Sequence, residues 1–235
     1  MYEHLLTNPE LARLVADVTG DGHLQVKGWR YLTSFVSNEI QETEAFERRS
    51  KELFDVIPKR YIDSRKTHKG SGIRYQSFII SKPVALFLCE NGVPVGNKTN
   101  NPFKVPTWIF NGSPEMKAAY LRGLYDNEGT IYSNKEGNKT RWRIAISMAK
   151  NNDILQEGIA FFEQLREMLC EFDIKTSPVC SSKLNVRKDG STSMYLRIVI
   201  ERKSFRSFLK HIGFDHPKKR EKLLFSVGSV VKRLS

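Results

Sequence analysis

At 235 residues with 40% hydrophobic side chains, the chain is long enough for one large domain or two halves with separate cores, which excludes a disordered tail. Lys and Arg number 38 against 26 Asp and Glu, a formal charge of +12 that favours polyanionic partners, nucleic acid first. The longest apolar stretch, Val84 to Cys89, falls far short of the roughly 18 residues of a membrane span, so no membrane partner is expected. The acidic start, Met1 to Glu10, reads as neither secretory signal nor transit peptide, and Cys89, Cys170 and Cys180 lack CxxC spacing. The expected compartment is reduced and cytoplasmic, or organellar if the gene is.

In chain order, the first informative segment has a second copy. LARLVADVTGDGHL (Leu11 to Leu24) and AAYLRGLYDNEGTI (Ala118 to Ile131) are both helical stretches ending in an acid and a glycine. The acids, Asp21 and Glu128, stand 107 residues apart, close to half the chain. After the first come strands near His23 to Lys27 and Tyr31 to Ser37. A helix follows from about Glu39 to Val56, with Asn38 as N-cap and Gln41 three residues on. Strands near Arg60 to Arg65 and Ile73 to Ile80 precede a helix at Pro83 to Cys89. Asn91 to Pro114, rich in Pro and Asn, reads as a linker with Trp108 and Phe110 pinned to a surface.

The second half repeats the pattern: strands near Thr130 to Ser133 and Trp142 to Met148, then a helix over Asp153 to Phe172. Strands near Val179 to Val186 and Met194 to Ile200 and a helix at Ser204 to Ile212 follow. Each half therefore reads αββαββα, an α+β class, with residues 1–90 and 115–235 as the halves and 91–114 between them. Lys218 to Arg233 reads as a further helix docked on the body. Charge is uneven: residues 1–112 carry a net +3 and 113–235 a net +9.

In Arg141 to Met148, Trp142, Ile144, Ile146 and Met148 alternate with Arg141, Arg143, Ala145 and Ser147, the period of a sheet with one buried and one open face. Tyr195 and Arg197 alternate with Met194, Leu196 and Ile198, and Lys183, Asn185 and Arg187 alternate with Leu184 and Val186. Polar rows ~7 Å apart along a strand suit base edges in a major groove, which admits a β-ribbon. For one such strand an ordinary solvated face explains as much; three strands on a basic chain favour the groove. In the first half Arg30, Arg60, Arg65, Lys66, His68, Lys69, Arg74, Tyr75 and Gln76 offer similar chemistry, and alternation does not decide which point outward.

A single helix ending in Asp-Gly is ordinarily a capped helix. Two copies in a basic chain suggest chemistry instead. Ala12, Ala16 and Gly20 in one helix, and Ala118, Ala119 and Gly123 in the other, permit close packing that brings the acids together. Paired carboxylates repel unless cations neutralise them, which fits magnesium with oxygen ligands and retained water. Metal-activated water beside clamped phosphate oxygens hydrolyses phosphodiesters.

These segments resemble the double motif of a monomeric LAGLIDADG homing endonuclease. Leu121, Gly123, Leu124, Tyr125, Asp126, Asn127, Glu128 and Gly129 stand in the motif register, as do Ala16, Asp17, Val18, Thr19, Gly20, Asp21 and Gly22, with Asp17 at a place usually apolar. Gly92, Pro94, Gly96, Lys98, Pro106 and Trp108, and Ile212, Gly213, Phe214, His216, Pro217 and Lys219, look like further family elements. The resemblance implies two pseudo-symmetric αββαββα halves whose antiparallel sheets form a saddle over duplex DNA, with the motif helices at the interface. It implies that Asp21 and Glu128, with Gly20 and Asn127, hold two or three Mg2+ shared by two active sites. The product would be a double-strand break with 3′ overhangs in a long asymmetric target. Lys98 and Lys219, or its neighbour Lys218, are the implied basic catalytic candidates, with Lys150 and Asn38 weaker ones. Expected DNA contacts are Arg30, Arg65, Arg74, Tyr75, Gln76, Arg141, Arg143, Lys183, Asn185, Arg187, Tyr195 and Arg197.

The alternative on the same fold is an RNA-binding intron maturase with little or no nuclease activity, which both retained acids disfavour. A transcriptional binder would have lost one acid. The Met1-Tyr2 opening and Leu234-Ser235 close lack the residues of protein splicing, so an intron-encoded nuclease is expected rather than an intein. A carboxylate-pair glycosidase fits the acids but not the basic sheets. The cysteines read as packing, and His4, His23, His68, His211 and His216 show no ligand spacing, His23 being a candidate DNA contact.

Overall fold

The computed structural model describes residues 2–67, 70–137, 139–186 and 190–231, excepting the side chains of 65–67, 70, 71, 136, 139 and 229–231. It divides into two units. One comprises residues up to Asn101 with Pro106–Tyr120; the other comprises Pro102–Val105 with residues from Leu121 onward. The segment between the halves is therefore not a free connector but is shared out between them. Phe103 stacks edgewise on Phe161 at 4.7 Å and the Val105 amide donates to Gln164 in the second unit. In the first, the Trp108 indole donates to the Asn91 carbonyl at 3.0 Å and Ile109 is buried.

The first unit begins with a 3₁₀ turn at Glu3–Thr7 and continues as α1 (Pro9–Thr19), β1 (His23–Lys27), β2 (Arg30–Ser37) and α2 (Ile40–Phe54). It closes with β3 (Lys59–Thr67), β4 (Gly70–Ile80), α3 (Lys82–Glu90) and the short α4 (Thr107–Phe110). Asn8 accepts from the Glu10 amide and Pro9 opens α1, so the start of this helix is set locally. At α2 the expected cap is displaced: Glu39, not Asn38, holds the cap position. The Ser37 hydroxyl accepts from the Glu39 amide at 3.0 Å while donating to Glu42.

The chain continues as α5 (Pro114–Asn127), β5 (Gly129–Glu136), β6 (Lys139–Asn151), α6 (Leu155–Cys170), β7 (Cys180–Ser181), β8 (Asn185–Val186), β9 (Thr192–Ile200), α7 (Phe205–His211) and α8 (Pro217–Val231). The architecture is α+β with antiparallel sheets, in the order β1-β2-β4-β3 and β5-β6-β9-β7, β8 also pairing with β9. The same helix-hairpin-helix-hairpin-helix sequence thus gives the same strand order twice. The expected strand from Val179 to Val186 is broken into β7 and β8. Ser182 breaks it: its hydroxyl accepts from the Tyr195 amide, taking a bond that a backbone carbonyl would otherwise make.

Register fixes the faces, because directly paired residues share a side of the sheet. In the first sheet Leu24, Thr33 and Ile79 form one buried row and Phe35 and Ser77 the next. Tyr75 and Arg60 follow that side by parity, and Arg60 pairs with Glu47 of α2. Burial would raise the Glu47 carboxyl, but hydrogen bonds from Arg60 and Ser77 outweigh it and hold it below the usual carboxylate range. In the second sheet Ile131, Ile144, Ile146, Met148, Leu196, Ile198 and Ile200 form the core side.

Candidate nucleic-acid interface and helix-end acids

Each acid is set by the way its helix stops. At the end of α1 the Gly20 amide donates to Ala16 and the Gly22 amide reaches back to Asp17, folding the chain over the last turn. A Cβ on Gly22 would lie 2.5 Å from the Val18 Cα and 2.6 Å from the Ser34 carbonyl oxygen. At Gly129 it would lie 2.3 Å from the Tyr125 carbonyl oxygen. No side chain fits in either place, so the glycine after the acid is required by close approach of backbone. Asp21 stands exposed and Glu128 half-buried at the entries to β1 and β5.

A lysine returns to each of these helix ends. Lys98 lies in the loop after α3, and its ammonium donates to the carbonyls of Val18 (3.2 Å), Gly20 and Gly22 (2.8 Å). Lys219 follows α7, near the start of α8, and donates to Tyr125 (3.3 Å), Asp126 and Gly129 (2.7 Å). Relative to the acid, the carbonyls held are three residues before and one after in both units, plus one in between. Each ammonium meets three carbonyls at the negative end of a helix dipole, a contact that holds the acid-bearing turn. Of the weaker candidates, Lys150 is buried with its ammonium 3.7 Å above the Phe103 ring, on the helix side of its sheet and away from the open face. Asn38 and Lys218 are exposed.

The donor set suits a hard divalent cation. Asp21 offers carboxylate oxygens beside the Gly20 carbonyl, which gives one lone pair to Lys98 and keeps another. Among the described residues no cluster of three or more His, Cys, Asp or Glu forms a closed cage. Magnesium is a cation that keeps waters and takes one or two carboxylates together with substrate phosphates, so Asp21 and Glu128 are the residues that would hold it. When bound, such an ion activates water and neutralises charge on phosphate oxygens.

The open side of the second sheet carries Asn134 paired with Arg141, Tyr132 with Arg143, Ser147 with Arg197, and Tyr195, with Asn185 of β8 at the edge. Arg197 donates to the Tyr132 hydroxyl and lies 5.5 Å over its ring. Arg141, Arg143, Asn185, Tyr195 and Arg197 are thus brought together as expected from alternation. Lys183 is exposed in the connection between β7 and β8, off the ladder.

The open side of the first sheet is different. It carries His23, Gln25, Lys27, Arg30, Leu32, Ser34, Val36, Gln76, Phe78, Ile80, Arg74, Lys59, Tyr61 and Asp63. Arg30, Arg74 and Gln76 stand on this open face. Tyr75 does not: it stands on the opposite face, since it is next in sequence to two open-face residues. Arg60 likewise follows the other parity. The side chains of Arg65 and Lys66, and all of His68, Lys69 and Arg187, lie outside the described residues. His23, two residues beyond Asp21, has its pKa lowered, first by burial and then by the Lys98 charge, against a hydrogen bond to the Gly96 backbone.

Two buried acids escape sequence reasoning. Asp17, 1% exposed, is clasped by Arg49 of α2 at 2.6 Å and by Arg13 at 3.3 Å. Asp126 accepts from the amides of Asp215 (3.1 Å) and His216 (3.1 Å) at the start of α8. The signal available for the first was Arg13 one turn earlier on the same helix face.

Two halves of αββαββα order, each opening with a helix that ends in an acid-glycine pair under a lysine, define an α+β protein of a recognisable class. Residues 115–213, less than half of the chain, match the family model described as LAGLIDADG-like domain. The chain is similar to the structure of the homing endonuclease I-WcaI bound to its DNA recognition sequence, with a TM-score of 0.57, 16% identity, and coverage of 93% of this chain and 87% of that one. It is also similar to full-length DUF199/WhiA from Thermatoga maritima, with a TM-score of 0.50, 14% identity, and coverage of 97% and 68%. At such identity these likenesses concern the fold alone. Among curated proteins it is 27% identical over 222 residues to a tRNA-splicing ligase RtcB of Pyrococcus abyssi, covering 93% of this chain and 23% of that protein. It is 29% identical over 213 residues to a replication factor C small subunit of Methanocaldococcus jannaschii, covering 88% and 11%. The chain thus spans less than a quarter of the length of these relatives.

Proposed function

We propose that the chain is a site-specific DNA endonuclease that binds a long asymmetric duplex and cuts both strands with divalent metal, leaving 3′ overhangs. The observation that carries this reading is the repeated helix end: an acid followed by a glycine that admits no side chain, beneath a lysine on the same carbonyls, in each unit. Asp21 and Glu128 each bind metal at one scissile phosphate, with two or three Mg2+ in all. The sheets grip the duplex through phosphate contacts, and affinity falls steeply with salt. The family match and the likeness in fold to a DNA-bound homing endonuclease support this reading.

The curated relatives bear on the genetic setting. One segment of about 220 residues recurs within a tRNA-splicing ligase, a replication factor C small subunit, an aminotransferase and an RNA polymerase subunit, proteins whose names share no activity. A segment common to such unlike hosts is separable from what they do, as a mobile element with its own activity would be. In those relatives the matched segment makes up 11–23% of the polypeptide, which supports residence inside a host protein rather than the intron-encoded setting expected from the sequence.

The test is cleavage of a plasmid library of randomised sites with Mg2+, comparing wild type with Asp21→Asn and Glu128→Gln. Linear product with 3′ overhangs, lost in both variants while DNA affinity persists, is the expected result. Full cleavage by either variant removes the assignment of the acids. No cutting of any duplex, together with tight binding of a structured intron RNA, replaces the endonuclease with the maturase.

A further inference from the structure

The open faces of the two sheets are chemically unlike, and this has a consequence for the target. In the first, Leu32 pairs across β2 and β4 with Ile80, and Phe78 and Val36 stand in the next rows. None of the four contributes to the core, which the alternate residues Leu24, Thr33, Phe35 and Ile79 build. Ile80 is 68% exposed. A solvated sheet face ordinarily alternates to polar residues, and a contiguous apolar patch inside a basic rim of Lys27, Arg30, Lys59 and Arg74 marks a contact surface. The rim selects a polyanion as its occupant. In the second sheet the corresponding rows carry Arg141, Arg143 and Arg197, with Arg197 held in place by the ring and hydroxyl of Tyr132.

We propose, on the footing of the DNA-binding reading above, that the target is lopsided in base composition: the half-site facing the first sheet is read through thymine methyl groups, and the half-site facing the second through guanine edges. In the major groove the thymine methyl is the apolar feature of a base edge, whereas guanine presents the O6 and N7 acceptors that arginine meets bidentately. Leu32, Val36, Phe78 and Ile80 cannot satisfy guanine acceptors or a cytosine amino group, and covering those groups unpaired is costly. They reject G·C pairs as well as accept thymine. In the second sheet Ala145, Ser147 and Ala149 are too short to reach a methyl, Val199 opposite Ala145 is flanked by Arg143 and Arg197, and the long side chains of that face, Arg143, Arg197 and Tyr195, carry donors.

The experiment selects duplexes from a random pool in buffer free of divalent metal, with wild type, Ile80→Ser and Arg143→Ala. Each variant relaxes preference in one half-site and so assigns that half-site to a sheet. Deoxyuridine is then placed for each thymine, and 7-deazaguanine for each guanine, in the selected duplex. Removing one methyl should weaken binding about fourfold in the half-site assigned by Ile80→Ser and leave the other half-site nearly unchanged. Removing one N7 acceptor should cost about tenfold or more in the half-site assigned by Arg143→Ala. Specific binding with equal or reversed sensitivities overturns the inference and leaves the endonuclease reading standing. If Ile80→Ser changes the oligomeric mass of the free chain and no base preference, the apolar face is a protein contact and the inference falls. If no sequence is enriched at all, both the inference and the DNA-binding reading fail.

Discussion

Asp17 is the position where the first motif departs from an apolar pattern, and replacing it separates a structural role from a catalytic one. Its carboxylate meets Arg49 at 2.6 Å and Arg13 at 3.3 Å, and all three side chains are at least nine-tenths buried. Asp17→Leu leaves two buried guanidinium groups without their carboxylate, which typically costs about 3–5 kcal/mol. For a chain of 235 residues unfolding as one, that is a fall of roughly 6–20 °C in Tm. The residue at the same motif register 107 positions on is Leu124, fully buried, so leucine is sterically acceptable on such a helix. The charge, not the shape, is therefore what fails. Adding Arg49→Met removes the more closely paired of the two stranded charges, and apolar replacement of a buried pair is often neutral or better, so the double variant should recover at least half the loss. Urea unfolding of the two single variants and the double variant supplies the cycle. A loss under about 1 kcal/mol for Asp17→Leu, or no recovery in the double variant, would refute the claim that this pair ties α1 to α2.

Gly129→Ala should destabilise the second unit by at least about 2 kcal/mol, because its Cβ collides with backbone rather than with a movable side chain, and urea midpoints would show it. Lys98→Met should lower the stability of the first unit by about 1–3 kcal/mol through loss of a charged donor on three carbonyls. In a nicking assay with strand-specific labels it should slow one strand more than the other, and Lys98→Arg should restore part of that rate. His23 carries the pH dependence. Its pKa is depressed in the fold, so the unfolded chain binds its proton more readily and stability is full above pH ~6.5, then lost as pH falls through the folded value. Unfolding of wild type and His23→Gln between pH 7.5 and 5 should show the wild type losing more on acidification, and parallel curves would exclude this source.

The order of elements was readable because the apolar periods are clean where the core is apolar. Ile144, Ile146 and Met148 are buried as their spacing requires, and the acid-glycine pairs stop α1 and α5 where the repeat implies. The first sheet was harder because polar residues sit on both of its faces. Thr33 and Ser77 are core residues there, and Arg60 turns to Glu47 of α2, so an Arg or Tyr in these strands carries no direction by itself. Parity came only with the pairing of β2 to β4 and β3, and it moved Tyr75 to the helix side. The break between β7 and β8 depends on one serine hydroxyl replacing a backbone acceptor, and nothing in the composition of Val179 to Val186 distinguishes that serine from its neighbours.

The two lysines show how a duplicated chain can keep one device while its surfaces diverge. Lys98 stands eight residues beyond α3 in a loop with left-handed Gly92 and Gly96, and Lys219 eight residues beyond α7, past left-handed Gly213 and inside α8, so the connections match in length and differ in form. Both ammonium groups nevertheless end on the carbonyl three residues before the acid and the carbonyl one residue after it. A contact made by a point charge on a flexible stem tolerates such differences in approach, where a planar guanidinium would not. What it holds constant is the turn that directs the carboxylate. The strands beyond that turn are free to vary, and they do: apolar across the centre of one open face, arginine-rich across the other.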